Sequence, residues 1–390
     1  MSAGWANWSG AVHCRTEPEV PEDLDALRDA VCSTPSGVAL RCVGSGHSFV
    51  PFWGGEDRLL SLERFTGVEG VDGAVARIRA GTPLHALGPL LAAQGRALIN
   101  QGDIDRQTLA GAVATGTHGT GRGLGSLSSA VRAVELVDGE GELRRLADGE
   151  EVAAARVSLG LLGVMTVIEL ETTERYGLHE RNHLEPIDAT LEALASRIDG
   201  HRHHEFWWVP RGDSAIAKTL DVIDEPAAPQ LDEIPFGEAG ERWGTSWQVF
   251  PSDRSAKFNE MEYAVPSSRG PGCFRALRAA LLEHFPALPW PVEYRIVAGD
   301  DGWLSPTAGE EVAAISVHQD ARRDPAPLFA LAEAIFVEHG GRPHWGKQQH
   351  LDAALLAARY PRLPAFRALA QQYDPRGRFV TDWLRERLGF

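Results

Sequence analysis

The chain has 390 residues, 43% hydrophobic and 24% charged, enough for two sizeable cores, since single cores stop growing near roughly 250 residues. Its 54 acidic against 38 basic residues give a formal charge of −16, which argues against nucleic acid or an anionic membrane surface as a partner. Cys14, Cys32, Cys42 and Cys273 show no C-x-x-C spacing, so neither a disulfide framework nor a zinc site is expected. The start, Met1 to Trp8, lacks a basic region followed by an apolar run, and a cytoplasmic location is the expectation. No apolar stretch approaches the roughly 18 residues that span a bilayer.

In chain order, Leu24, Leu27, Ala30 and Val31 recur at helical spacing after Pro21-Glu22-Asp23, which predicts an amphipathic helix. Val38 to Val43 reads as a buried strand, followed at once by Gly44-Ser45-Gly46-His47-Ser48-Phe49. Two glycines one residue apart let several N–H groups approach an anion, and a histidine sits beside whatever they hold. A tight turn with a solvated histidine is the plainer reading. Ala74 to Gly81 is strand-like, and Thr82-Pro83-Leu84 predicts a helix with Thr82 as N-cap and Pro83 at its first position.

A second Gly-rich stretch, Gly111-Ala112-Val113-Ala114-Thr115-Gly116-Thr117-His118-Gly119-Thr120-Gly121, combines small residues with hydroxyls able to donate to phosphate oxygens, and reads as a loop. Two such loops make a dinucleotide cradle a better reading than either does alone. A Rossmann unit fits poorly, because Phe49 stands where the third glycine belongs and Pro51 where a helix should begin. Val131 to Leu146 predicts a hairpin around Asp138-Gly139-Glu140-Gly141, and Val164 to Leu170 a further strand.

From about residue 176 the texture becomes aromatic and proline-broken. His201, His203 and His204 lack ligand spacing, so the segment His201 to Trp208 is expected to be an exposed strand edge and not a metal site. Ile223 to Gly240, with Pro226, Pro229 and Pro235, reads as a surface loop. If Val292 to Val297 is a strand, Glu293 and Arg295 share a face. Lysine occurs only at 218, 257 and 347, which gives Lys347, between Trp345-Gly346 and Gln348, weight as a compact cation required in place. Leu351 to Leu388 is helical in pattern.

Five motifs together, Gly44 to Phe49, Ala114 to Gly119, Glu293-Tyr294-Arg295, Trp303-Leu304-Ser305-Pro306 and Pro343-His344-Trp345-Gly346-Lys347, resemble the vanillyl-alcohol oxidase type of FAD flavoprotein, within it the alditol oxidase and aldonolactone oxidase group. The resemblance implies an α+β chain: a two-subdomain FAD-binding domain of PCMH type over 1–175, an inserted α+β substrate domain over 176–347, and a C-terminal segment, 348–390, returning to the first. It implies FAD contacts from Gly44, Ser45, Gly46, His47, Ser48, Gly102, Gly111, Thr115, Gly116, Thr117, His118, Gly119 and Val167, with covalent attachment through His47. It also implies hydride transfer from a polyol-like alcohol to flavin N5, with Glu293 and Arg295 holding neighbouring hydroxyls, Lys347 beside the reacting one, and His344 packing nearby.

Departures from the group's pattern shape the substrate expectation. Asp103 and Glu260 stand where a small hydroxyl residue and an amide are usual, which suggests a cationic group, as on an amino-polyol. Val317 replaces a threonine and puts ordinary alditol specificity in doubt. Gly102, in the position flanking the flavin's reactive edge, leaves room for O2 and points to an oxidase forming H2O2. An aldonolactone oxidase or dehydrogenase on the same scaffold is the alternative; from another class, so is a carbohydrate-binding homologue without activity.

Overall fold

In the computed structural model, the described residues are 4–54, 57–147, 149–252 and 256–390. The chain begins with α1 (Leu24–Cys32), entered through Asp23, whose carboxylate caps the Ala26 N–H at 2.9 Å; its apolar stripe of Leu27, Ala30 and Val31 is buried. Strands β1 (Leu40–Val43) and β2 (Arg58–Ser61) form a parallel pair. Then come β3 (Val68–Asp72), β4 (Val75–Arg79), α2 (Leu84–Ala92), β5 (Arg96–Leu98), α3 (Leu109–Thr115), β6 (Val131–Val137), β7 (Leu143–Leu146), α4 (Gly149–Arg156) and β8 (Val164–Glu174). Strands β3 to β8 make one six-stranded sheet in which β8 pairs with β4, β5 and β6. The hairpin at 131–146 is β6 and β7.

Two elements differ from expectation here. Thr82 does not cap α2; its hydroxyl donates to Arg79 O at 2.6 Å, and Pro83 is the N-cap. Gly111 to Thr115 are helical, in α3, whose N-cap Thr108 accepts the Gly111 N–H and whose left-handed C-cap is Gly116. A stretch of small residues that reads as a loop thus forms a seven-residue helix, since alanines impose no steric bar and packing supplies the rest.

The remaining chain supplies β9 (Gly177–Pro186), α5 (Ile187–Gly200), β10 (His203–Val209), β11 (Ser214–Ile223), β12 (Gly240–Thr245), α6 (Ser246–Val249), β13 (Phe258–Pro266), α7 (Gly270–His284), β14 (Val292–Val297), β15 (Val312–Asp320), α8 (Ala326–Glu338) and β16 (Arg342–Pro343). Its eight strands form an antiparallel sheet in the order β12-β9-β11-β10-β14-β15-β13-β16. Far from an exposed edge, β10 lies inside this sheet, and six of its seven residues are buried. Phe206 and Trp208 turn to one face and pack on Phe274 of α7, with ring centroids 5.0 and 5.7 Å apart; Glu205 and Trp207 turn to the other, as strand alternation requires. Residues 224–239 form no strand and are joined to β12 by the Gln230–Trp243 bridge.

Helices α9 (Ala353–Arg359), α10 (Leu363–Tyr373) and α11 (Asp382–Leu388) end the chain. This end is tied to the N-terminal part by Leu40 N–H to Arg378 O at 2.7 Å and by Arg41, whose guanidinium donates to Phe379 O at 2.8 Å. Among the described residues, no helix is long and apolar enough to cross a membrane.

Candidate active site

Two cavities meet at His47 and Gln107, which line both. The first, about 410 Å³, runs between the Gly44–Ser48 turn and the start of α3, where Thr108, Ala110 and Gly111 face it, with Val164 and Met165 of β8 behind. Gly44 is held against α3 so closely that a Cβ there would sit 2.6 Å from Thr108 Oγ1, and Gly46 takes φ +72°. This close approach, not flexibility in general, is what the glycines provide. Three buried polar atoms from residues lining the cavity, Arg41 Nε, Trp53 Nε1 and Gln107 Oε1, have no hydrogen-bond partner. Buried polar groups are normally satisfied, so a ligand with acceptors and donors along its length, such as FAD, fits this cavity.

The second cavity, about 580 Å³, lies over the cavity-facing side of the eight-stranded sheet. Across that face runs a ladder of alternating charge, one rung per strand. Arg242 on β12 bonds Glu180 on β9 at 2.9 Å; Glu180 is 3.9 Å from Lys218 on β11. Lys218 is 3.1 Å from Glu205 on β10, which is 3.1 Å from Arg295 on β14. Arg295 also pairs with Glu293, which accepts the Trp207 indole N–H at 2.6 Å. Burial opposes the charge on Lys218 and Arg295, but the surrounding carboxylates outweigh it and raise both above their ordinary values.

On β13, Glu260 Oε2 lies 2.5 Å from Lys347 Nζ, and its Oε1 is 3.7 Å from His318 Nε2. Burial alone would raise this carboxyl; the Lys347 ammonium and His318 hold it below the usual range. Glu262 is held well below that range, against burial, by His118, whose Nε2 is 3.0 Å away. Lys347 Nζ also lies 5.1 Å from the centre of the Phe49 ring. His344 joins His118 and Glu262, their ligand atoms all within 4.8 Å of one another. Its Nδ1 accepts the Gly346 N–H at 3.1 Å, which leaves the ring proton on Nε2 and suits a hydrogen-bond donor better than a metal ligand.

His47 stacks on Trp8, ring centroids 5.6 Å apart at 18°, with Nδ1 3.3 Å from the Ser45 hydroxyl. Burial and the nearby Lys347 lower its pKa to about 4, so at neutral pH it presents an uncharged imidazole.

The structure thus brings His47, Gly102, Asp103, Glu260, Glu293, Arg295, His344 and Lys347 around one cavity, and Gly44, Ser45, Gly46, Ser48, Gly111 and Thr115 around the other. Several expected residues lie elsewhere. Thr117 and His118 line the sheet-side cavity and not a phosphate loop. Gly116 and Gly119 line neither; Gly119 packs so that a Cβ would meet Gln101 O at 2.0 Å. Val167 lies two residues past Met165 on β8 and also lines neither cavity. Val317 is fully buried in the hydrophobic core, one residue out of phase. Its neighbour Ser316 sits opposite Glu293 in the β14–β15 register and donates to Glu293 Oε2 at 3.4 Å, so it is Ser316 and not Val317 that meets the Glu293 side chain.

Asp103 and Glu260 likewise offer little charge to a cationic substrate group. Asp103 lies 3.6 Å from Lys218 Nζ and accepts from the Ser252 hydroxyl at 3.1 Å, while Glu260 is paired with Lys347; both carboxylates are neutralised within the fold. Glu180, Glu205, Lys218, Arg242 and Glu262 were not singled out by sequence. The scarcity of lysine that marks Lys347 marks Lys218 equally and was the one signal available.

A loop-held dinucleotide cavity opening onto a polar, aromatic cavity over an antiparallel sheet defines an FAD-dependent oxidoreductase of the two-part, PCMH-type architecture. The family described as FAD binding domain matches residues 17–147, and that described as D-arabinono-1,4-lactone oxidase matches 168–238 and 236–387. The chain is 33% identical to L-gulono-1,4-lactone dehydrogenase of Mycobacterium tuberculosis and 31% identical to alditol oxidase of a Streptomyces species, each match covering 100% of both chains. It is 24% identical to bovine L-gulonolactone oxidase over 97% of both. Among solved structures, a solvent-stable cholesterol oxidase superposes with a TM-score of 0.84 at 18% identity, covering 100% of this chain and 97% of that one. A chitooligosaccharide oxidase superposes with a TM-score of 0.75, also at 18% identity, over 97% and 93%. The chain belongs to the FAD-dependent aldonolactone and alditol oxidase family of vanillyl-alcohol oxidase type flavoproteins.

Proposed function

We propose that this protein oxidises a CH–OH carbon of a neutral polyhydroxylated small molecule, an alditol or an aldonolactone, using FAD bonded covalently through His47, with O2 as final acceptor. The observation that carries the reading is the placement of Glu293 and Arg295 side by side on β14, with Lys347 in the same cavity, which adjoins the cofactor cavity at His47.

When bound, FAD supplies a hydride acceptor. The chain's own residues do the rest. Arg295 donates to one substrate hydroxyl and Glu293 accepts from its neighbour, turning the carbinol carbon into a fixed orientation. The Lys347 ammonium, held by Glu260, stabilises negative charge growing on the reacting oxygen, and its partner carboxylate receives the departing proton. Trp8, Phe49 and Phe258, packed edge to face or stacked with centroids 5.1–6.4 Å apart, shield the site from water on one side.

Support for the covalent bond comes from the neutral imidazole of His47, a competent nucleophile, at the junction of the two cavities. Support for O2 comes from Gly102, which lines the sheet-side cavity without a side chain. A Cβ there would press on Thr117 Cγ2 at 2.9 Å, so packing also favours glycine. The test is anaerobic bleaching of the flavin with xylitol, sorbitol, L-gulono-1,4-lactone and L-galactono-1,4-lactone, followed by mixing with air. Bleaching by polyols or lactones and reoxidation within seconds supports the reading; a flavin that none of them reduces defeats it, as would be expected of an inactive binding protein. Reoxidation over many minutes would assign a dehydrogenase.

A further inference from the structure

The sheet-side cavity does not end at the Glu293–Arg295 pair. It continues along the charge ladder to Asn182 on β9, which stands opposite Lys218 in the β9–β11 register. Strand β9 is three strands from β14 in the sheet, about 14 Å at the usual spacing. That is beyond the carbon chain of a hexitol whose carbinol end is held at Glu293 and Arg295. Asn182 is only 8% exposed, it lines the cavity, and its Oδ1 has no hydrogen-bond partner. An orphaned acceptor in a buried amide is costly to the fold unless something supplies the missing hydrogen.

Beside the charge ladder, apolar side chains also line this cavity. Ile216 comes from β11, and Ile234 and Phe236 from the 224–239 segment. The Phe236 ring lies 6.1 Å, edge on, from that of Trp207. Apolar surface beside a few convergent polar groups is the usual makeup of a small-molecule site, and the cavity's volume of about 580 Å³ lies within the usual range for one.

We propose that this outer compartment is a second substrate subsite, which takes a sugar ring joined to the carbon chain being oxidised. The substrate is then a glycosyl-alditol or a disaccharide-derived lactone. Ring hydroxyls donate to Asn182 Oδ1, and the ring's C–H faces pack on Ile216 and Phe236. This inference rests on the polyhydroxyl-oxidising function proposed above and extends it to a particular substrate size.

The test compares kcat/KM, read with an artificial electron acceptor, for sorbitol against maltitol, its glucosyl derivative, and for glucono-1,5-lactone against maltobiono-1,5-lactone. The expected result is a preference for the glycosylated member of each pair of about tenfold or more, and a fall in that preference of about tenfold in Asn182→Leu. Ile216→Trp, which fills the compartment without touching the amide, should lower the preference likewise, so that one poorly folding variant does not decide the matter. Equal or lower efficiency on the glycosylated substrates, or an unchanged preference in both variants, overturns the subsite. Failure of every polyol and lactone, with or without a second ring, to bleach the flavin overturns the underlying function instead.

Discussion

Glu205 lies with Oε1 3.1 Å from Lys218 Nζ and Oε2 3.1 Å from Arg295 Nε, so one carboxylate joins a fully buried lysine to the guanidinium proposed to hold a substrate hydroxyl. Lys218 also lies 3.6 Å from Asp103 and 3.9 Å from Glu180. Arg295 therefore does not hold its position alone; alternating charge on the four neighbouring strands fixes it, which gives the low reorganisation that its proposed role requires.

Replacing Lys218 by Met should leave Asp103, Glu180 and Glu205 short of a cation in a dry interior. Breaking a buried pair from one side typically costs about 3–5 kcal/mol, and the expected outcome is a large fall in Tm. The stranded carboxyls gain a raised pKa in the folded variant, so the loss should grow as pH rises from 5 to 8 and shrink in acid, where they take up protons. Lys218→Arg should recover most of the stability. A Lys218→Met protein with wild-type Tm and unchanged KM at pH 8 would show that the ladder carries nothing.

The opposite faces of β15 can be told apart by neighbouring substitutions. Ser316→Ala removes the hydrogen bond to Glu293 and should raise KM by roughly threefold, about 0.7 kcal/mol, with Tm little changed. Val317→Thr should do the reverse: it places a hydroxyl in the core beneath the sheet, costing about 1–3 kcal/mol, with KM unaltered. Kinetics that respond to position 317 and not to 316 would mean that the strand faces are assigned the wrong way round.

The comparison of these two residues also shows what sequence could deliver. The Glu293/Arg295 face was legible because both lie on one strand, where a spacing of two fixes the side. Val317 misled because the face of β15 depends on its pairing with β14, and a one-residue slip inverts every side chain. Gly111 to Thr115 read as a loop because small residues carry no periodic apolar signal, although the N-cap Thr108 stood three residues before them. The ladder escaped notice for a different reason: Glu180, Glu205, Lys218 and Arg242 sit on four strands, and only the order of the sheet makes them neighbours.

Buried histidines set an acid limit on stability. Burial, the largest cause in each case, lowers His203 to about 3 and His204 and His344 to about 4, whereas the unfolded chain binds these protons near pH 6.5. Between those values the unfolded state holds more protons, so stability rises with pH and is lost as pH falls from about 6.5 towards 4. Each such group contributes on the order of 1 kcal/mol per pH unit in that window. Glu260 and Glu262, whose pKa values are depressed, add a second loss only below about pH 4.3. Denaturant midpoints measured from pH 7 to 4.5 should fall continuously, and His204→Gln should flatten the slope by about one proton. A midpoint constant down to pH 4.5 would contradict the assignment.

His47→Ala separates the proposed covalent attachment of the flavin from its binding. The cofactor cavity keeps its glycine turn, the start of α3 and the unpartnered Arg41, Trp53 and Gln107 atoms, so the variant should still purify yellow. After acid precipitation its flavin should appear in the supernatant, while that of the unaltered protein stays with the pellet and fluoresces in a denaturing gel. Losing the bond should also lower the flavin's reduction potential, since the imidazole substituent withdraws electron density from the ring; kcat should fall about tenfold, ~1.4 kcal/mol of barrier, with KM nearly unchanged because His47 does not hold substrate. Trp8→Ala should leave the bond able to form but slow it, because the stacked indole fixes the imidazole's plane; incomplete attachment, read as the ratio of pelleted to released flavin, is the expected signature. Flavin released by acid from the unaltered protein would rule out the covalent bond and leave His47 as a contact of the cofactor only.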